Sequence, residues 1–226
     1  MFNIRHSFKS LILMSVADRR AREREELRRK ILDTARDLFV AHGYAGVTLR
    51  KIAAAIDYSP GAIYSYFRDK DELLRALCVA DFEAFELSVP RHFDSPDPVD
   101  GLRAIGRAYI GFALKHPNHY RLMFMTPKPA ALKQLDDDVL AKKGDPARDG
   151  YALLRQVVAQ AIAQGRLQPR WRDAELVAQT LWAGVHGMAA LEIAMASDPW
   201  LQWSPRAERV EAILDALIDG LAATRA

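Results

Sequence analysis

Residues 48–74, TLRKIAAAIDYSPGAIYSYFRDKDELL, constrain the fold more than any other part of this chain of 226 residues. Behind Thr48, whose hydroxyl can cap a first turn, Leu49, Ile52, Ala53 and Ile56 recur at helical spacing on one face. Asp57-Tyr58-Ser59-Pro60-Gly61 then breaks the helix. Asp tolerates a left-handed backbone, Ser59 can cap a second helix, and Pro60 suits its first turn. The second helix is expected over residues 61–67, about one and a half turns. Ile63 and Phe67 lie on its buried side, and Ala62, Tyr64, Ser65 and Tyr66 point elsewhere. Two small helices crossing through such a turn form a unit that fits a DNA major groove.

These residues resemble the helix-turn-helix of TetR-type transcriptional repressors. The pattern of that family runs roughly T-x-x-x-I-A-x-x-x-G-V-S-x-G-x-[ILF]-Y-x-[YH]-F-x-x-K-x-x-L. Thr48, Ile52, Ala53, Ser59, Gly61 and Ile63 stand in register, followed by Tyr64, Tyr66, Phe67, Lys70 and Leu73. Asp57-Tyr58 replaces the usual Gly-Val, which puts more strain on a left-handed position. Two phenol hydroxyls and an ammonium at the end of a short exposed helix suit phosphate contacts, which fix register on a duplex. The expected DNA surface therefore has Thr48, Tyr64, Tyr66 and Lys70 on phosphates, with Arg50, Pro60, Ala62 and Ser65 near base edges. Ser59 and Gly61 complete it.

The charge distribution agrees. The net charge is +3, but residues 1–75 carry 15 Lys and Arg against 10 Asp and Glu, and the remainder 17 against 19. The positive excess thus sits with the helix-turn-helix. The lone cysteine, Cys78, excludes an intrachain disulfide and a Cys-based zinc site. No run reaches the length of a membrane span. Arg5 and Lys9 before Leu11-Ile12-Leu13-Met14 faintly resemble an export signal, but the apolar stretch is short and runs into Asp18-Arg19-Arg20. Residues 1–13 are read either as an upstream start outside the natural protein or as a basic extension able to touch DNA. A cytoplasmic location is expected.

Helical signals continue along the chain. A first helix should run to about residue 42, with Leu27, Ile31, Leu32, Ala35, Leu38 and Phe39 inward and Gly43 as its stop. Arg68-Asp69 caps a long helix through about residue 89, and residues 90–98 break the chain with three prolines. Asp97-Pro98 starts a helix to 115, and Pro117 opens another. Residues 126–149 read as a loop with at most a short helix inside. Further helices are expected over about 146–164, 173–196 and 204–223, the last with Ser204 as cap and Pro205 as first residue. No strand pattern or repeat is visible. The fold class is all-α: a three-helix head over 22–68, preceded by an extension over 1–21, and a larger helical ligand-binding and dimerisation body over 69–226, about nine helices in all.

The body carries its own signature. Trp182-Ala183-Gly184-Val185-His186-Gly187 resembles the W-x-x-x-H-G motif of one group of TetR-type regulatory domains, and Tyr109…Phe112…His116-Pro117…Tyr120…Phe124 is also typical of that group. Glycines at i, i+3 permit a close helix approach, at about 1 kcal/mol each in propensity. His186 shares a side with Trp182; it either lines a ligand cavity or is a buried histidine bonded to a backbone carbonyl. Phe82, Phe85, Tyr109, Phe112, Met123, Trp182 and His186 are the candidate lining of a mostly apolar pocket, the alternative being plain core. One short recognition helix reads too few base pairs alone, so a homodimer on a palindromic operator is expected. The resemblance implies that the last two long helices pair. Ala183, Leu191 and Ala194, with Val210, Ile213, Leu214, Leu217 and Leu221, are the candidate interface.

The resulting expectation is a transcriptional regulator, most simply a repressor, released by a small apolar or amphipathic effector. No phosphate-cradling glycine loop, catalytic carboxylate pair or nucleophile elbow points to an enzyme. No cofactor and no metal is expected, because His116 and His119 lack a Cys or carboxylate cluster to complete a set. A helical interaction module without DNA binding is the remaining alternative, and the Tyr64/Tyr66/Lys70 surface argues against it.

Overall fold

The computed structural model describes residues 16–91, 93, 95–127, 129 and 137–223; residues 1–13, with the two readings of them, lie outside. Among the described residues the chain is all-α, with one isolated bridge, Leu167 to Ala222. It divides into two compact units, Met1–Leu74 and Arg75–Ala226.

In the first unit, α1 (Val16–Gly46) buries Ile31, Leu32, Ala35 and Phe39 along one stripe. Gly43 leaves helical geometry at φ 67°, ψ 172°, and a last short helical piece follows to Gly46. α2 (Leu49–Ala55) starts at Thr48, whose hydroxyl accepts the Lys51 N–H at 3.2 Å. Its end is a left-handed cap. Asp57 has φ 60°, Tyr58 N–H bonds Ala53 O at 3.0 Å, and Asp57 N–H bonds Ala54 O at 3.3 Å. These are the paired bonds that satisfy the orphan carbonyls of a helix end, with Asp57 where Gly is commoner.

α3 (Pro60–Tyr64) has Ser59 as N-cap, its hydroxyl accepting the Ala62 N–H at 3.3 Å. It is shorter than the expected 61–67. After Tyr64 the chain tightens: the Tyr66 N–H bonds Ile63 O at 2.9 Å, three residues back. Ile63 and Phe67 are buried as the spacing predicts. α4 (Lys70–Ser88) is started by Asp69, which accepts the Glu72 N–H at 2.8 Å, while the Glu72 carboxylate accepts the Arg68 N–H at 2.7 Å.

The second unit is built around α5 (Pro98–Lys115), capped by Asp97 on the Val99 N–H. It packs against α8 (Gly150–Ala163), α9 (Ala174–Met195) and α10 (Arg206–Asp219), and α9 packs against α8 and α10. α6 (Pro117–Tyr120) runs into a π-helical turn, Arg121–Met125, and α7 (Asp137–Leu140) is one turn within the 126–149 connection. Two start points differ from expectation. α8 begins at Gly150 because Asp149 caps it, accepting the Tyr151 and Ala152 N–H groups at 3.0 and 3.1 Å; residues before it form turns. α10 begins at Arg206 with Pro205 at the cap and no side-chain cap bond, so Ser204 lies outside. It ends at Asp219, since residues 221 and 223 pair with 168 and 166 in the bridge.

α10 sits close to two neighbours because glycine faces it on each. A Cβ on Gly106 of α5 would stand 2.6 Å from Leu214 Cδ2, and one on Gly184 of α9 2.5 Å from Leu217 Cδ1. Charged clamps reinforce the crossing. Arg107 takes Glu211 with two N–H groups at 2.8 and 2.5 Å, and Arg103 pairs with Asp215. Glu192 on α9, 5 % exposed, accepts from Arg206 and Arg209 at 2.6 Å each. Burial alone would raise its pKa, but the two guanidinium bonds hold the carboxyl below its usual value.

Candidate functional site

The first candidate surface is α3 and the ends around it. Thr48, Arg50, Ser59, Pro60, Gly61, Tyr64 and Ser65 are exposed, Tyr64 to 52 %. Ala62, Tyr66 and Lys70 are half-buried. Several of these groups are already engaged inside the head. The Ser65 hydroxyl donates to Ala62 O at 2.7 Å, and the Arg24 guanidinium of α1 covers the Tyr66 ring at 5.1 Å. Arg50 is exposed on α2, where Lys51 donates back to Gly46 O at 2.7 Å.

Lys70 has a structural role inside the head. Its ammonium donates to Tyr44 O at 2.8 Å and Val47 O at 3.1 Å, over the Tyr44 ring at 3.8 Å from the centroid. Next along α4, Asp71 accepts the Tyr44 hydroxyl. Burial first, then the bond and charge of Asp71, push the Tyr44 phenol up to about 12. Lys70 and Asp71 thus fasten the start of α4 to the turn joining α1 and α2. One of the three ammonium protons is left for an outside acceptor.

The second candidate site is a cavity of about 330 Å³ inside the second unit. Of the seven residues expected to line it, Phe82, Phe85, Tyr109 and Trp182 do. Phe112 and Met123 do not; both are 5 % exposed and sit in the core, where Phe112 meets Phe85 edge-on at 5.4 Å. Helical spacing cannot tell the two apart, since both wall and core show the same apolar stripe. His186 also stands behind the wall. Its Nδ1 lies 2.5 Å from the Tyr120 hydroxyl and 3.1 Å from that of Tyr109. Its partners are therefore phenols, rather than the backbone carbonyl of the alternative reading. Burial lowers the His186 pKa, favouring the neutral ring.

Trp182 Nε1–H donates to the Tyr109 hydroxyl at 3.0 Å, so the wall and the residues behind it form one polar chain. Burial is the main reason that the Tyr109 and Tyr120 phenols are pushed up, and Tyr120 is raised further by its Tyr109 contact. Phe124 is packed among Tyr109, Tyr120, Trp182 and His186 and lines the cavity. The periodicity argument missed it, as well as Tyr151 and Glu86, which also line the space. Phe124 lies in the π-helical turn, whose extra residue shifts side chains off the α-helical register that the spacing assumes. Tyr151 follows a cap whose position was expected several residues earlier.

Comparison with known proteins decides what this arrangement belongs to. Residues 31–77 match the model of bacterial regulatory proteins of the tetR family, and residues 102–221 match that of the tetracyclin repressor-like C-terminal domain. The chain belongs to the TetR family. The relatives of this TetR-family chain include an HTH-type transcriptional regulator of Mycobacterium bovis, Mb1846, 28 % identical over 225 residues, or 84 % of this chain and 93 % of the relative. An HTH-type transcriptional repressor of Mycobacterium tuberculosis, Rv1474c, is 50 % identical over 56 residues, 25 % of this chain and 30 % of that one. A protein of unknown function from Rhodococcus sp. RHA1 has TM-score 0.66 at 28 % identity, covering 87 % of this chain and 96 % of its own. A TetR family transcription regulator from Marinobacter aquaeolei VT8 shares the fold, with TM-score 0.67 at 20 % identity over 90 % and 98 % of the two chains. The TetR-family chain is thus a helix-turn-helix, DNA-binding transcriptional regulator. No helix among the described residues is long and apolar enough to cross a membrane.

The residues expected at a TetR-type dimer interface separate into two groups. On α9, Ala183, Leu191 and Ala194 are exposed or half-buried, and Leu191 reaches 52 %. Gly187, on the same helix, has nothing within 4 Å of a would-be Cβ. On α10, Val210 and Ile213 are half-buried. Leu214, Leu217 and Leu221 turn inward: Leu214 is 2 % exposed, Leu214 and Leu217 line the cavity, and Leu221 is 4 % exposed beside the bridge. Gly106 and Gly184 draw this face of α10 into its own unit.

Proposed function

We propose that the protein is a homodimeric repressor that binds a palindromic operator and is released by a small, mostly apolar effector. It works in the cytoplasm and belongs to the group of TetR-type proteins with a W-x-x-x-H-G regulatory domain. The observation that carries the reading is the apolar cavity, partly open beside Phe82 and Trp182, in a chain whose other unit presents a capped, exposed recognition helix. In this reading α3 enters the major groove, with Pro60, Ala62 and Ser65 toward base edges and Arg50 alongside. Thr48, Tyr64, Tyr66 and the remaining proton of Lys70 hold phosphates, while Ser59 and Gly61 bring the helix start close to the backbone. Two heads about one helical turn of DNA apart, roughly 34–36 Å, read the two half-sites.

The outward face of α9, Ala183, Leu191 and Ala194 around Gly187, with Val210 and Ile213 of α10, meets its copy on a partner. Release needs an effector that binds one arrangement of the two heads better than the other. α4 carries Lys70 at its start and Phe85 toward its end, so an effector that shifts α4 reaches both. A hundredfold loss of operator affinity asks for about 2.7 kcal/mol of differential binding.

The test is a gel-shift and footprint with the DNA upstream of the chain's own gene. A symmetric footprint at least two half-sites long, bound by a dimer, supports the reading; no sequence preference over competitor DNA overturns it. Leu191→Asp should give folded monomers in sedimentation and remove operator binding. A dimeric Leu191→Asp protein would place the interface elsewhere.

A further inference from the structure

The polar groups around the cavity narrow the effector further, and this step rests on the cavity being the effector site. Among the described lining residues there is no Lys, Arg or His; Glu86 and Asp149 are the only charged ones. Both carboxylates are taken. Glu86 pairs with Arg91 and accepts the Gly150 N–H at 2.9 Å. Asp149 caps α8 and accepts the Gly144 N–H at 2.9 Å. A ligand carboxylate or phosphate would enter a largely apolar space beside two carboxylates and find no unpaired cation there, which is costly. An ammonium would meet the charge of Asp149, which only backbone N–H groups hold, but would give up its water in a space that is otherwise apolar.

The phenol chain supplies one replaceable donor. A neutral His186 with its hydrogen on Nε2 has one lone pair at Nδ1, and the Tyr120 hydroxyl at 2.5 Å is placed to take it. The Tyr109 oxygen accepts from Trp182 at 3.0 Å. The Tyr109 hydrogen is left with the Tyr120 oxygen at 3.2 Å, longer than the usual range of about 2.5–3.0 Å for two hydroxyls. Of the four groups, Tyr109 alone both lines the cavity and holds its donor in a long bond. The other phenol on the wall, Tyr151, donates to Glu175 at 2.5 Å.

We infer that the cavity selects an uncharged, predominantly apolar molecule with one hydrogen-bond acceptor, such as a ketone, ester or lactone oxygen, which takes the Tyr109 hydroxyl hydrogen. Accepting it leaves the rest of the chain intact, because Trp182 still donates to Tyr109 and Tyr120 to His186. The volume, about 330 Å³, lies at the small end of the range of about 300–1,000 Å³ for small-molecule pockets.

Calorimetric titration of the full chain with 2-nonanone, nonanoate and nonylammonium tests this. 2-Nonanone should bind at least about tenfold more tightly than either ion, and Tyr109→Phe should weaken it by up to about tenfold, the worth of one hydrogen bond. Tyr151→Phe should change it less than about threefold. Either ion binding as tightly as the ketone, or equal losses in the two variants, overturns the inference while leaving the cavity as a binding site. Binding of none of the three overturns the cavity reading with it. If Tyr109→Phe does not fold, the order of the three probes on the unaltered chain decides.

Discussion

The head uses its polar side chains to start and stop short helices, whereas the body uses them to close off an apolar space. Thr48, Ser59 and Asp69 each satisfy an N–H three residues onward, and Lys70 takes the carbonyls of Tyr44 and Val47. The result is a small unit whose recognition helix is held by its ends and leaves its outward face free. In the body, Trp182, Tyr109, Tyr120 and His186 bond to one another, mostly across long sequence separations, and Glu192 is gripped by two arginines at the start of α10. The three cap bonds form within one turn and need no distant element, whereas the Lys70 bonds reach back 26 and 23 residues and form only once α4 has docked on the turn joining α1 and α2. The body's bonds exist only after α5, α9 and α10 have packed. The head is thus started by local caps and joined by a few longer bonds, whereas the polar chain beside the cavity depends on packing throughout.

This contrast can be broken most directly at Leu214, which sits between a helix crossing and the cavity. Leu214→Asp should lower the stability of the body by roughly 4 kcal/mol, since a carboxylate there has no partner. Urea unfolding measures it; a near-normal midpoint would mean that Leu214 faces outward in solution and belongs to the dimer surface after all. A smaller effect is expected from Lys70→Ala. Losing the two charge-assisted bonds that fasten α4 should cost about 2 kcal/mol, and operator affinity should fall with a salt slope reduced by about one unit. Lost operator affinity at unchanged stability would make Lys70 a phosphate contact alone.

Asp57→Gly should act in the opposite direction. It removes the cost of a left-handed non-glycine residue and should stabilise the head by about 1 kcal/mol, read as a higher urea midpoint with unchanged slope. A loss instead would show that the Asp57 side chain contributes to the turn. The smallest effect is expected on mild acidification. His186 has a lowered folded pKa, so the stability it confers is complete above its unfolded value, about 6.5, and falls as pH drops through that value toward the folded one. Glu192 is lowered too, so its contribution stays until pH falls below the ordinary carboxylate range, about 4.3, and is lost toward the folded value. His186→Gln should flatten the first part of the pH profile and leave the second, which thermal melts across roughly pH 2 to 8 resolve at about 0.5-unit steps.

The order of elements was legible in the residues themselves wherever a signal acts within one turn. Thr48, Asp57, Ser59-Pro60, Asp69, Asp97-Pro98 and Asp173 mark helix ends that the structure places at or next to those residues, because caps and left-handed turns depend only on near neighbours. The same chemistry misled at Ser204-Pro205, where a good cap sequence is passed over and the helix starts one residue later. What a residue faces at long range was not legible. Phe82 and Phe112 carry the same apolar signature in a sequence, as do Ile213 and Leu214, yet one of each pair lines the cavity and the other does not. Local signals determined which segments are helices and that the head is a helix-turn-helix. Only the packing of α5, α9 and α10 decided which faces line the cavity, because Gly106 and Gly184 let α10 approach and turn Leu214 and Leu217 inward; the Gly184/Gly187 spacing marks a close approach on α9 but not which glycine meets a neighbour or which helix that is.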